Sequence, residues 1–248
     1  SEEIRNYGNE VESLIGNYLI EIFTDVDLFN KFNLIDPTQL DLESKKYHEE
    51  LERDFIDAGH NLEENKKIRL IEIEKKLIDL EINFSKNIAD DKSEVYFEPS
   101  ELAGLSGGEL GSLEFKSGKY TVTMSYPDVN AVLENCSVRK SRESVWKAFN
   151  NRAVSMNLPI LKETVVLRNE KAKLFGFETW SQYRLKYRMA KNPNNVNKMY
   201  DSLIPALQKS AETEKIELSS DDIDPTDISP WDIRYLITKR RNMLSNLD

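Results

Sequence analysis

The sequence predicts an all-α, multi-helical protein with antiparallel helix packing and one small β-hairpin within residues 94–125. Three observations carry this prediction. Apolar residues recur in steps of three and four along most of the chain, the period of a helix with one buried face. Glycine is scarce, 9 in 248 residues, and five of the nine crowd between Gly104 and Gly118. In that neighbourhood Tyr120, Val122 and Met124 alternate with Thr121 and Thr123, the two-residue period of a strand.

The elements follow in order. Val11, Leu14, Ile15, Leu19, Ile20, Ile22 and Phe23 mark an opening helix, reached from Ser1 without an initiator methionine, as expected of a piece of a longer chain. From Leu62 to Ile88 the positions Leu70, Ile73, Leu77, Leu80, Phe84 and Ile88 form one stripe, with lysines and glutamates on the other face. That is a long amphipathic helix whose stripe needs a helical partner. The hairpin turns near Ser117-Gly118, and Pro127 ends the extended stretch. Val138 to Met156 reads as one helix through Val145, Phe149 and Ala153. Pro159 is expected at a first helical turn and Gly176 at a left-handed cap, which bounds a helix over 159–175. Asn192-Pro193 and Ser229-Pro230 each place a capping side chain before a proline that opens a helix. Between them, 219–227 is too acidic and too rich in Ser and Pro for a core element. The texture divides the chain into a helical segment over 1–92, a small β and loop insertion over 93–127, and a second helical segment over 128–248. There is no internal repeat and no sustained heptad.

Charge and composition narrow the function. With 34 basic against 44 acidic residues the net charge is -10, which repels phosphate backbones and anionic lipid. Nucleic acid and membrane are therefore not expected partners. No stretch approaches the roughly 18 apolar residues of a spanning helix. The lone Cys136 excludes an intramolecular disulfide and suits a reducing compartment, so cytoplasm is the expected location.

Chemistry is hard to find in the residues alone. A zinc peptidase helix sets two histidines one turn apart with a glutamate between them. His48-Glu49-Glu50-Leu51-Glu52 starts that pattern but ends it with glutamate, and the other histidine, His60, lies twelve residues on. Cys136 has no base named by its surroundings. No phosphate-binding glycine loop is present, and Gly104 to Gly111 lacks both the lysine and a helix opening. Ser219, Ser220 and Asp221 offer a weak cation site or phosphate acceptor, against the simpler reading of a solvated loop. Trp146, Phe149, Phe175, Phe177, Trp180, Tyr183 and Tyr187 are expected in packing and not on a ligand platform.

The stretch 145–196 points further. It runs Val-Trp-Lys-Ala-Phe-Asn-Asn-Arg-Ala from Val145, then Asn157-Leu158-Pro159-Ile160-Leu161-Lys162-Glu163, Leu167-Arg168-Asn169-Glu170 to Phe175-Gly176-Phe177, and Arg188-Met189-Ala190-Lys191-Asn192-Pro193. Asn83-Phe84-Ser85-Lys86-Asn87, Tyr126-Pro127-Asp128 and Pro230-Trp231-Asp232 support it on both sides. In this order the residues resemble the middle of the thimet oligopeptidase and saccharolysin family of M3-type zinc oligopeptidases. The resemblance implies a helical two-domain metalloendopeptidase with a deep channel that admits short peptides, working in cytoplasm or mitochondria. It implies zinc on a His-Glu-x-x-His helix and a later glutamate, expected downstream of Asp248. No catalytic, cofactor-binding or metal-binding residue carries over to this sequence, which is expected to be channel wall and inactive alone, without bound zinc. Its expected partners are the missing catalytic half and, through Leu236 and Leu244 on the last helix, a second copy of itself. The alternative is an inert helical binding or regulatory protein of the same ancestry.

Overall fold

The computed structural model describes residues 2–219 and 223–245. Its backbone is mostly helical, with eleven α-helices and one three-stranded antiparallel sheet among the described residues. Two compact units alternate along the chain: the first holds Ser1–Asn87 and Ser155–Val196, the second Ile88–Val154 and Asn197–Asp248.

In the first unit, α1 (Glu2–Thr24), α2 (Val26–Phe32) and α3 (Leu42–Asp57) gather around an aromatic cluster. The ring of Phe55 lies 5.4 Å from those of Phe23 and Phe29 and 5.1 Å from that of Phe32. Asp25 and Asp41 open α2 and α3 by accepting hydrogen bonds from the backbone N–H of Leu28 and Ser44, at 2.8 and 2.9 Å. The predicted long helix is α4 (Glu64–Ala89), and its stripe is turned inward: Leu70, Ile73 and Leu80 are buried. Its helical partner is α8 (Val154–Leu174), where Leu167, with Ile160 and Leu174, completes a second core around Ile73 and Leu80. The two helices run antiparallel, as their ion pairs show: Arg69 meets Glu170 and Lys76 meets Glu163.

Gly176 ends α8 as predicted. Its φ of 80° is the left-handed conformation a Cβ disfavours, and it lets Gly176 N–H reach Lys173 O and Phe177 N–H reach Ala172 O, both at 3.0 Å. The start of α8 is not where Pro159 suggests. The helix begins at Val154 and Pro159 lies inside it, because Asn157 is buried and tied to α4 through Phe84 O at 3.0 Å and Asn87 at 2.9 Å. Pro159 removes one hydrogen bond near the exposed end of the helix, where the freed carbonyl belongs to the exposed Ser155. The short α9 (Trp180–Leu185) follows, capped by Thr179 and Gln182.

In the second unit, β1 (Glu94–Phe97), β2 (Glu114–Lys116) and β3 (Lys119–Thr123) pair in the order β1-β3-β2. The hairpin is the predicted one: Ser117 and Gly118 both have positive φ, 53° and 82°, which matches the twist of the flanking strands. The third strand, β1, was not foreseen. The glycine-rich stretch also opens a helix after all, α5 (Gly107–Ser112), because Ser106 and Glu109 form a capping box.

The extended stretch ends at Pro127 as predicted. This proline is the second residue of α6 (Tyr126–Asn135), while Asp128 accepts hydrogen bonds from Thr123 N–H and from its hydroxyl. The single helix expected over 138–156 is two: α7 (Arg139–Asn150) ends where Asn150 and Asn151 bond back to the carbonyls of Trp146 and Lys147. Ala153, at φ 53°, turns the chain and donates its N–H to Asp91 at 2.7 Å.

The helix α10 (Pro193–Leu218) starts at its predicted proline, with Asn192 accepting from Asn195 N–H, and contains no buried residue. The last helix, α11 (Pro230–Ser245), packs on α6 and α7. Leu236 is buried there, so of the two leucines expected to be unmet only Leu244 is exposed. Val122, Val129, Val132, Val145 and Cys136 form the fully buried centre of this unit.

Candidate functional site

The two histidines that a metal site would require have other work. The ring of His60 stacks on Phe29 at 4.1 Å, and its Nε2 meets the carbonyl of Phe23 at 2.8 Å. With Lys67 Nζ on Thr24 O at 3.0 Å, it satisfies carbonyls at the end of α1. Burial holds the His60 pKa below its ordinary value, against the Phe23 carbonyl, which acts the other way. His48 stacks on Phe32 at 4.3 Å. Among the described residues no three His, Cys, Asp or Glu side chains gather as a metal site would need. Among the described residues no set of zinc ligands is therefore assembled, while His48 Nε2 is buried without a hydrogen-bond partner.

Cys136 is fully buried, its thiol near Glu101 O at 3.4 Å, and burial pushes its pKa up, the reverse of what a nucleophile needs. Of the acidic loop, Ser220, Asp221 and Asp222 lie outside the described residues, and the Ser219 hydroxyl donates to Ile216 O at 2.7 Å. The aromatic residues pack: Phe175, Phe177 and Trp180 surround Tyr183 at 5.2–5.7 Å, and Trp146 meets Trp231 edge to face at 5.8 Å.

Two polar clusters stand out that the sequence did not announce. In the second unit Asp232, with no exposed surface, accepts from Arg142 Nη2 at 2.7 Å, from Arg139 at 2.8–3.2 Å and from Ser229 N–H at 3.1 Å. It thus caps α11, the role expected of the Ser229 side chain. Arg142, 1% exposed, also donates to the carbonyls of Cys136 and Ser137 and lies 4.2 Å over the ring of Tyr235. Burial pushes the Asp232 carboxyl up, but the hydrogen bonds from Arg139, Arg142 and Ser229 outweigh it and hold the carboxyl below the usual aspartate value. This cluster is closed off by its own partners and staples α11 to α7.

The other cluster, in the first unit, is open. Lys186 pairs with Asp57 at 2.5 Å, and its ammonium lies within 4.3–5.7 Å of the rings of Tyr183, Tyr187, Phe175 and Phe177. Tyr183 is 2% exposed, and burial, the carboxylates of Asp57 and Glu74, and a hydrogen bond to Asp57 raise its pKa far above the ordinary phenol range. Glu74 in turn pairs with Lys171. Asp54 and Asp57 line two cavities, one of about 350 Å³ and one of about 400 Å³. The only sequence signal for this site was the aromatic run 175–187; its acidic half comes from α3.

Comparison with known proteins places the chain. A model of peptidase family M3 matches residues 132–248. The chain is 33% identical over 223 residues to the thimet-like oligopeptidase of Dictyostelium discoideum, covering 86% of this chain and 33% of that protein. It is 33% identical over 214 residues to saccharolysin of Saccharomyces cerevisiae (79% of this chain, 30% of that protein). With oligopeptidase A of Haemophilus influenzae the identity is 29% over 267 residues, 98% of this chain and 39% of the relative. The chain thus spans about a third of the length of the curated relatives it matches.

Proposed function

Because the chain belongs to peptidase family M3, we propose that it serves as a helical wall and scaffold segment of a zinc metalloendopeptidase that hydrolyses short peptides. The observation that carries this reading is the combination of family likeness along nearly the whole chain with histidines committed to packing and capping. A segment so built has shape to offer and no metal-ligand cluster among its described residues, so zinc is assigned to the parent polypeptide. The substrates, short peptides, and the cytoplasmic location are likewise assigned to the parent. No described helix is long and apolar enough to cross a membrane.

The partner of the segment is the catalytic half of the same enzyme. Apolar side chains exposed on α1 (Tyr7, Val11, Leu14, Tyr18) and on α10 (Tyr200, Leu203, Leu207) are the surfaces that such a partner would cover. In isolation those surfaces favour self-association, opposed by the net charge of -10. Sedimentation checks this: a species heavier than the monomer that dissociates on dilution is expected, and a monodisperse monomer at high concentration counts against it.

Activity is the sharper test. The 248-residue chain is incubated with a quenched fluorogenic peptide, with added zinc and with a chelator. No turnover is expected in either condition. Chelator-sensitive turnover that is lost in His48→Ala or His60→Ala would overturn the reading.

A further inference from the structure

The two cavities of the first unit differ in character. The 350 Å³ one is walled by apolar side chains, Leu19, Ile20 and Phe23 of α1 with Leu70 and Ile71 of α4. The 400 Å³ one is ringed by charge, with Arg184 and Arg188 among its lining groups. Asp54 and Asp57 belong to both.

Most charges around them are already neutralised. Asp57 pairs with Lys186, Glu74 with Lys171, Arg53 with Glu49 and Glu50 with Lys46. Three groups remain. The carboxylate of Asp54 and the guanidinium groups of Arg184 and Arg188 have no ion pair and no hydrogen-bond partner among the described residues, and all three are exposed, Arg184 lying 5.7 Å from the ring centre of Trp180. Burial, with the nearby carboxylates of Asp57 and Glu50, raises the Asp54 pKa, so a cation placed there relieves repulsion.

A ligand matching what is left over needs a cation for Asp54, an anion for the two arginines and an uncharged apolar body for the first cavity. An α-amino acid carries these three groups on a single carbon. Arginine is suited to a carboxylate, which its planar fork grips through two parallel N–H groups. The apolar cavity falls at the small end of ligand pockets, enough for one side chain. Apart from the two shared aspartates its charges are Glu74 and Lys171, which pair with each other.

We propose that the first unit binds a free α-amino acid with a branched aliphatic or aromatic side chain. The ammonium is held by Asp54, the carboxylate by Arg184 and Arg188, and the side chain lies among Ile20, Phe23 and Leu70. The site is independent of the peptidase reading, and its readout is binding, so either can fail alone.

Titration calorimetry of the 248-residue chain tests it, with L-leucine and L-phenylalanine as probes. The controls are 3-methylbutylamine, which lacks the carboxylate, 4-methylpentanoate, which lacks the amine, and glycine, which lacks the side chain. Saturable binding of both amino acids is expected, with each control at least about tenfold weaker, since each loses a charged or apolar contact. Asp54→Asn should weaken L-leucine about tenfold and leave 4-methylpentanoate unchanged, while Arg188→Gln should weaken both ligands and leave the amine unchanged. Asp54 and Arg188 are exposed, and matching circular dichroism of the variants confirms that they fold. No saturable heat up to about 10 mM ligand, amine binding equal to amino-acid binding, or indifference to Asp54→Asn would overturn the proposal.

Discussion

Replacing Asp232 with asparagine keeps the shape of the side chain and removes its charge. The cost follows from what is left behind. Arg142 is 1% exposed and Asp232 is not exposed at all, so the variant strands a guanidinium in the interior of the second unit. Breaking a buried pair by removing one partner costs about 3–5 kcal/mol. Arg139 is 45% exposed and contributes little beyond this. Asparagine keeps an acceptor oxygen for Ser229 N–H, so the cap of α11 adds little to this. The expected destabilisation is therefore about 3–5 kcal/mol, read as a shift of the urea midpoint at constant slope. The wild-type carboxyl has a lowered pKa in the folded state, so its contribution is present above the unfolded value near 3.9 and fades as pH falls through the folded value. The gap between wild type and variant should accordingly narrow below about pH 4. Replacing the pair together, Arg142→Met with Asp232→Leu, should recover most of the loss, because no buried charge then lacks a partner. A cost of Asp232→Asn below about 1 kcal/mol, or no recovery in the double variant, would refute the view of this cluster as a closed staple.

Gly104→Ala should be severe. At φ 98° a Cβ would stand 2.4 Å from the backbone oxygen of Asn135 and 2.9 Å from the backbone nitrogen of Ser137, and backbone cannot step aside; more than about 2 kcal/mol is expected by chemical denaturation. Lys191→Gly should do the opposite. Lys191 is exposed at φ 62°, and glycine relieves that strain, raising stability by up to about 1 kcal/mol net of its own entropy cost in the same assay. His60 adds a pH dependence: its folded pKa lies below the unfolded value near 6.5, so the unfolded state binds the proton first and stability falls as pH drops from 6.5 towards the folded value. His60→Gln should flatten the urea midpoint between pH 7.5 and 5.5 relative to wild type, and an unchanged slope would remove His60 from this role.

What the sequence determined on its own was local. The stripe of Leu70, Ile73, Leu77 and Leu80, the Ser117-Gly118 turn, the Gly176 cap and the opening of α10 at Pro193 each depend on residues within a few positions of one another. So does the missing second histidine after His48. Where local signals competed, they misled: Pro159 sits inside a helix, and the run from Val138 to Met156 breaks at two asparagines. In these places a contact from elsewhere decided, Asn157 with Phe84 O and Asp91 with Ala153 N–H. The third strand exists only because β3 offers an edge to Glu94–Phe97 across an intervening helix.

The polar clusters were illegible for the same reason. Arg142 finds Asp232 ninety positions away, Arg69 finds Glu170 at 101 and Lys186 finds Asp57 at 129. With 44 acidic and 34 basic residues, spacing cannot say which charges meet. Side-chain periodicity records which face of a helix is buried; tertiary packing alone decides which charges are neutralised and which, like Asp54 and Arg188, are left without a partner.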